Sequence, residues 1–370
     1  MKTFEYGDRE ISASELFFSV SSMILGIGIL TLPRGLSKVV PSSDGWMSIV
    51  LAGLLSIGLV WILTQLTTRF PNETIVEFSV SLIGKHAAWC FSVLLFIAFF
   101  MFTGYEVRGA AEVAKQYLFS RTPVEVIGLA FFLVVIYAVC GTKVGVIRLN
   151  VLFFPFVLGV FLLVIFMNFG SIRSEHLQPV FVSNWKQVFG GIWESLFSFF
   201  GFEIVLFYSA LLNRPTKSTK AAVLGVAVPM LLYVLVFLFV IGVFSPAATA
   251  ELQYPTVELA KEIEVPGAVL ERFESFFFTI WLMTLFNSAA MALDICTYVM
   301  CKLVGARHRL TVIFSLAPAI FLVSFIPRDL HEFGHFGRLT SLIDLFAGIL
   351  IPCILYVVLR IKGGRRYGNN

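Results

Sequence analysis

Two stretches decide how this chain folds: Ser21-Ser22-Met23-Ile24-Leu25-Gly26-Ile27-Gly28-Ile29 and Ser198-Phe199-Phe200-Gly201-Phe202-Glu203. Each is an apolar run interrupted by glycine, which weakens a helix because its backbone has more freedom to lose. The first lies within the charge-free run Leu16–Pro33, and further charge-free runs follow at Gly45–Thr68, Leu149–Ile172 and Ala221–Ala250. These match or exceed the roughly 18–20 residues that carry a helix across about 30 Å of hydrocarbon. Repeated along one chain, they describe a polytopic membrane protein.

Composition agrees. The 370 residues are 58% hydrophobic and 14% charged, with mean hydropathy +0.90, values that fit no soluble class. The longest hydrophilic stretch between spans is about 20 residues, which leaves no room for a soluble catalytic or nucleic-acid-binding domain. The net charge of +4 therefore reads as loop lysine and arginine rather than a nucleic-acid surface. Cys90, Cys140, Cys296, Cys301 and Cys353 lie in or beside apolar spans with no C-x-x-C spacing, so they form neither a disulfide framework nor a zinc ribbon.

Hydropathy places ten spans near 13–33, 45–68, 87–118, 123–142, 149–171, 188–212, 220–245, 268–300, 309–327 and 338–360. The fold class expected is an all-α polytopic membrane protein whose whole length, 1–370, is one integral membrane domain. Met1–Glu10 lacks a small-residue cleavage site and reads as no cleaved signal peptide. With the N-terminus inside, sixteen Lys/Arg fall on the cytoplasmic side, including the tail Arg360–Arg366, against ten outside, with Arg108 left within a span. That bias places both termini inside. Span 6 comes five spans after span 1, so the two run in opposite directions, the condition for a five-plus-five inverted repeat. The repeats cover about 11–171 and 186–361. Broken helices at matching positions of two halves point to a binding site at the membrane midplane. Close-packing glycines are the alternative.

Charges inside the spans need partners or water. Tyr105, Arg108, Gly109 and Glu112 share one stripe of span 3, and Arg108 precedes Glu112 by four residues, the spacing of an internal ion pair. Glu106 points about 100° away and needs a different partner. Glu194 and Glu203 lie in span 6, Asp294 in span 8 and Asp344 in span 10. Glu203, near mid-depth beside Gly201, has three open roles: receiving a ligand ammonium, taking a proton, or pairing with a cation on a neighbouring helix. An acidic segment at 246–267 lies outside. Within it Pro255–Glu264 forms a short helix that serves as lid, docking surface or plain connector. His331-Glu332-Phe333-Gly334-His335 matches H-E-x-x-H, the spacing that sets two zinc-ligand imidazoles one turn apart with a glutamate base between them. It is expected in a loop between spans 9 and 10, with Gly334 weakening the required helix, Arg338 where the longer metzincin signature has glycine, and no third ligand nearby. A metal there is disfavoured.

Over residues 10–360 the chain resembles the endospore germination permeases, the B subunits of germinant receptors, within the amino acid–polyamine–organocation transporter superfamily. The resemblance is carried by an ordered series of pieces. These are Ile11-Ser12-Ala13-Ser14-Glu15-Leu16, then Gly26-Ile27-Gly28-Ile29-Leu30-Thr31-Leu32-Pro33, Tyr105-Glu106-Val107-Arg108 and Gly201-Phe202-Glu203. Tyr254-Pro255-Thr256 to Pro266, Glu271-Arg272-Phe273-Glu274-Ser275 and Trp281 complete it. It implies a spore inner-membrane protein that binds a small nutrient germinant (an amino acid, sugar or nucleoside) and acts with A and C subunits, without enzymatic activity or cofactor. By superfamily analogy a ligand carboxylate meets backbone N–H groups at Gly26 and Gly28, with Phe199, Phe200, Phe202, Tyr105, Asn287 and Ser288 as walls. The ligand-binding residues expected are Ser22, Gly26, Gly28, Tyr105, Glu106, Phe200, Gly201, Glu203, Asn287 and Ser288. The alternatives are an ion-coupled amino-acid transporter on the same fold and a membrane zinc hydrolase using His331, Glu332 and His335.

Overall fold

A computed structural model describes residues 10–263 and 273–362, with side chains from residue 277 onward in the second stretch. Lys2, Arg9, Arg272, Arg365 and Arg366 of the basic bias, the 264–267 end of the acidic segment, and Glu271 lie outside the described residues.

Helix, and no strand among the described residues, builds the protein. Spans 2, 3, 5, 7, 8 and 10 are Gly45–Thr67, Lys85–Tyr117, Lys143–Met167, Ser218–Phe244, Phe273–Val304 and the nearly continuous Leu330–Lys362, each long and apolar enough to cross a bilayer. Span 1 is a bent pair, Ala13–Ile24 and Gly28–Val39, turned by 47°. Span 6 is a second pair, Trp185–Ser198 and Phe202–Leu211, turned by 46°. Spans 4 and 9, Val124–Cys140 and Arg309–Ser324, are shorter apolar helices. Together these are the ten spans with breaks in 1 and 6.

Local chemistry sets the starts. Ser12 caps span 1 through a reciprocal capping box with Glu15, and Asn184 does the same for span 6 with Gln187. Ile11 pairs with the end of span 6, its N–H donating to Leu211 O at 2.8 Å and its carbonyl accepting from Asn213 N–H at 3.0 Å. The start of span 1 and the end of span 6 therefore lie on one membrane face, here the proximal face, and the two spans are antiparallel. Span 8 packs along span 3, and span 7 against spans 1 and 2. Exposed apolar side chains such as Leu133 of span 4, Phe156 of span 5 and Phe314 of span 9 form the outer surface, as lipid contact requires.

The segment at Pro255–Lys261 is a helix whose Pro255, Thr256, Val257, Leu259 and Ala260 are buried. Pro33 has no N–H to give the carbonyl of Ile29 four residues earlier, and Thr256 Oγ1 supplies that donor at 2.7 Å. Tyr117 Oη donates to Glu258 at 2.8 Å. The segment thus seats the distal half of span 1 against span 3.

Span 10 differs from expectation. It begins at Leu330, so His331–His335 form its first turns rather than a loop. Asp329 Oδ1 accepts the His331 and Glu332 N–H groups at 2.9 and 2.8 Å. Phe333, stacked on Tyr105 with ring centroids 4.9 Å apart, anchors the turn despite Gly334. Its middle, Leu345–Leu350, widens to a π-helical turn, a form that recurs at functional sites. Span 5 also starts earlier than expected, at Lys143, where Thr142 caps it.

Candidate ligand site at the paired helix breaks

The two breaks face each other. A Cβ placed on Gly28 would lie 3.1 Å from Ser198 Cβ and 3.2 Å from Ser198 O. Where a helix stops, its last carbonyls lose their partners. Here one side chain supplies both: Tyr233 Oη of span 7 lies 2.6 Å from Ile24 O, at the end of the first half of span 1, and 2.9 Å from Ser198 O, at the end of the first half of span 6. Gly201 follows with φ +118°, a left-handed conformation that favours glycine, and its Cα packs on Met23.

Glu106 of span 3 fills the break in span 1. Its Oε1 lies so close to Gly26 that a Cβ there would be 2.8 Å away. Its Oε2 accepts Ser288 Oγ at 2.8 Å. The partner that the stripe geometry left unassigned is therefore Ser288 of span 8. A carboxylate of the protein itself thus lies at Gly26, where a ligand carboxylate was expected.

A cavity of about 640 Å³ runs from these breaks to the distal face. Gly26, Gly28, Tyr105, Glu106 and Phe200 of the expected residues line it. Its wall includes Ser198, Thr340, Ser341 and Asp344, and Arg34, Lys38, Glu194, His331, His335 and Arg338 also line it. Ser22, Gly201, Glu203, Asn287 and Ser288 lie behind that wall. Asn287 Nδ2 reaches Ser22 Oγ at 3.4 Å, Ser288 turns onto Glu106, and Glu203 Oε2 folds back to accept the Gly201 N–H at 2.8 Å. Phe199 packs edge-on against Tyr233, and Phe202 is fully buried. Tyr233 and Asp344 are the central residues that the sequence-based site left out. A lone tyrosine in an otherwise apolar span, and an intramembrane aspartate, were the available signals.

Two of the remaining intramembrane carboxylates, Glu112 and Asp294, are paired with arginines of the scaffold. Arg108 Nη2 lies 2.5 Å from Glu112, the expected i,i+4 pair. Asp294 is bound to Arg309 and to Tyr208 Oη, the latter at 3.2 Å. Glu203 has no such cation. Its near neighbour across Gly348 is Asp344. At the distal mouth the imidazoles of His331 and His335 meet edge to face, with Nε2 atoms 3.1 Å apart. Among the described residues no group of three His, Cys, Asp or Glu converges on them.

Residues 10–333 match the family model described as spore germination protein. The chain belongs to the spore germination protein family. It is 38% identical to spore germination protein GerLB of Bacillus cereus, over 100% of this chain and 99% of that one. It is 29% identical to spore germination protein YndE of Bacillus subtilis (strain 168), over 94% and 96% of the two chains. In fold the family member resembles MhsT, whose crystal structure was determined in complex with L-phenylalanine, with TM-score 0.69 and 17% identity over 96% of this chain and 90% of MhsT. It also resembles a manganese transporter of Eremococcus coleocola, with TM-score 0.62 and 15% identity over 96% and 82% of the chains. The spore germination family and the transporter fold are not those of an enzyme.

Proposed function

We infer that this chain is the ligand-binding B subunit of a nutrient germinant receptor, set in the inner membrane of the dormant spore with both termini inside and acting with A and C subunits. The cavity between the two helix breaks, open to the distal face, carries this reading. Tyr105 and Phe200 give it apolar wall, Gly26 and Gly28 let backbone approach a ligand closely, and Glu106 puts a carboxylate at its inner end. Ser22, Gly201, Glu203, Asn287 and Ser288 hold those groups from behind. The germinant is a small nutrient: an amino acid, a sugar or a nucleoside. With the Glu106 carboxylate beside Gly26 at the inner end, an ammonium or hydroxyl group complements it better than a second carboxylate does.

The test is a thermal-shift panel of amino acids, sugars and nucleosides on the detergent-purified protein, since a ligand that binds only the folded state raises its melting point. One class raises the melting temperature of the wild type, and Gly28→Ala abolishes the shift. A Cβ there would meet Tyr233 Oη at 3.0 Å as well as Ser198. An undiminished shift in a well-expressed Gly28→Ala protein, or no shift from any class, would remove the cavity as the germinant site.

A further inference from the structure

Glu203 of span 6 and Asp344 of span 10 are 1% and 4% exposed, and both rest against the same glycine. A Cβ built on Gly348, in the π-helical turn of span 10, would lie 2.8 Å from Glu203 Cγ and 2.9 Å from Asp344 Oδ1. Glu203 Oε2 has the Gly201 N–H, whereas Asp344 Oδ2 is buried with no hydrogen-bond partner. Asp344 also lines the cavity that opens to the distal face, so the pair is in reach of what enters there.

Among the described residues neither carboxylate is in an ion pair; Arg34, Lys38, His331, His335 and Arg338 line the same cavity as Asp344, as does Glu194, but none pairs with it. The proximal half of span 1 carries one charged residue, Glu15, which pairs with Arg148 at the proximal end. Span 2 has no charged residue, and Lys220 of span 7 lies at that span's first turn. Span 3 contributes Glu106, committed to Ser288, and Arg108, committed to Glu112. Tyr233 spends its hydroxyl on Ile24 and Ser198. Tyr105 is stacked on Phe333, and Arg338 on span 10 is exposed. Two carboxylates held together in an apolar interior do not both ionise, and the economical arrangement is one negative charge and one proton between them. An unpartnered acid oxygen beside a carboxylate is where that proton belongs.

We propose that Glu203 and Asp344 are a proton-binding site in which the two carboxyls share one proton, drawn from and returned to the distal cavity. Protonation forms one O–H bond on the pair and loss of the proton breaks it, with no other reactant. The site joins the half-helix of span 6 that follows Gly201 to the π-helical turn of span 10, so its occupancy sets how closely those two elements pack. The inference rests on spans 6 and 10 and is independent of the germinant assignment.

Infrared spectroscopy of the detergent-purified protein reads it directly through the C=O stretch of protonated carboxyl groups. The wild type should show, at neutral pH, one protonated carboxyl per chain beyond any signal removed by Glu106→Gln. Asp344→Asn and Glu203→Gln should each abolish it, and the double variant should remove no more than either single change. The wild-type titration, in which that band disappears on alkalinisation, needs no variant to fold. Three results would overturn the proposal. The first is no such band in the wild type. The second is two separate carboxyls lost one at a time. The third is a band removed at constant pH when sodium or potassium replaces choline, which would make the pair a metal-cation site.

Discussion

Replacing Gly26 by alanine separates a seated carboxylate from a packing glycine. A new Cβ needs about 3.4 Å of clearance and would find Glu106 Oε1 at 2.8 Å. Glu106 can yield only by lengthening or losing its 2.8 Å bond from Ser288. A hydrogen bond to a charged group contributes about 1.5–3 kcal/mol, so losing one costs about 3 kcal/mol at most. Replacing a glycine also narrows the unfolded chain's freedom, which pulls the other way by about 0.4–1 kcal/mol. The net loss of about 2 kcal/mol is roughly a thirtyfold rise in the germinant concentration for half-maximal response. Glu106→Asp, one methylene shorter, withdraws the carboxylate from Gly26. The double variant should therefore respond within a few-fold of Glu106→Asp alone, a coupling of about 2 kcal/mol. The assay is a four-way cycle in spores, with membrane abundance checked by immunoblot. A Gly26→Ala protein as sensitive as wild type, or a double variant whose loss is the product of the two single losses, would refute the seating of Glu106 against Gly26.

Arg108→Ala should deplete the protein from the membrane, because it strands Glu112 in a site where breaking a buried pair costs about 3–5 kcal/mol. Arg108→Met with Glu112→Gln should restore much of the abundance on an immunoblot. Asp44, the residue before span 2 at the distal face, is buried, which alone would raise its pKa. N–H bonds from Ser183, Phe181 and Val182 at 2.9, 2.6 and 2.8 Å outweigh that and hold it below the ordinary aspartate value. A depressed folded-state pKa stabilises above the unfolded value and is lost as pH falls through the folded one. Asp44→Asn should accordingly lower the wild-type melting temperature near neutrality and shrink the difference below about pH 4. In a cysteine-free background, Thr216→Cys and Glu262→Cys, both at exposed positions, should react with an impermeant thiol reagent from opposite sides of the membrane. Labelling from one side would overturn the ten-span arrangement.

The span count and the two breaks were legible because apolar length and mid-run glycine are local properties. Arg108 and Glu112 were legible as a pair for the same reason: four residues on one helix fix their geometry. Glu106 was legible only as a residue needing a partner, since its partner, Ser288, stands 182 positions away in the chain. Thr256 shows the same limit. The proline that orphans Ile29 is plain in the sequence, but the threonine that repairs it stands 227 positions away. The start of span 10 was misplaced because His331, Glu332 and Gly334 lower hydropathy, while Asp329 capping and the Phe333–Tyr105 stack hold the helix there regardless. Glu203 shows what a single sequence position leaves open. A ligand ammonium, a proton and a neighbouring cation were all candidate partners for a lone buried carboxylate, and its near neighbour in the structure is a second carboxylate, Asp344.

Tyr233 has a single hydroxyl hydrogen and two carbonyl oxygens within reach of it. A full-strength bond can go to only one of them at a time, and the shorter distance gives Ile24 the larger share. The centre of the protein is thus one donor short in its resting arrangement. When the two breaks move apart, the tyrosine loses one weak acceptor and strengthens its bond to the other, so the separation costs less than a whole hydrogen bond. One hydroxyl hydrogen divided between two carbonyls thus lets the two halves of the chain part at the loss of a single weak bond, with water entering the widened gap to serve the carbonyl that the tyrosine releases.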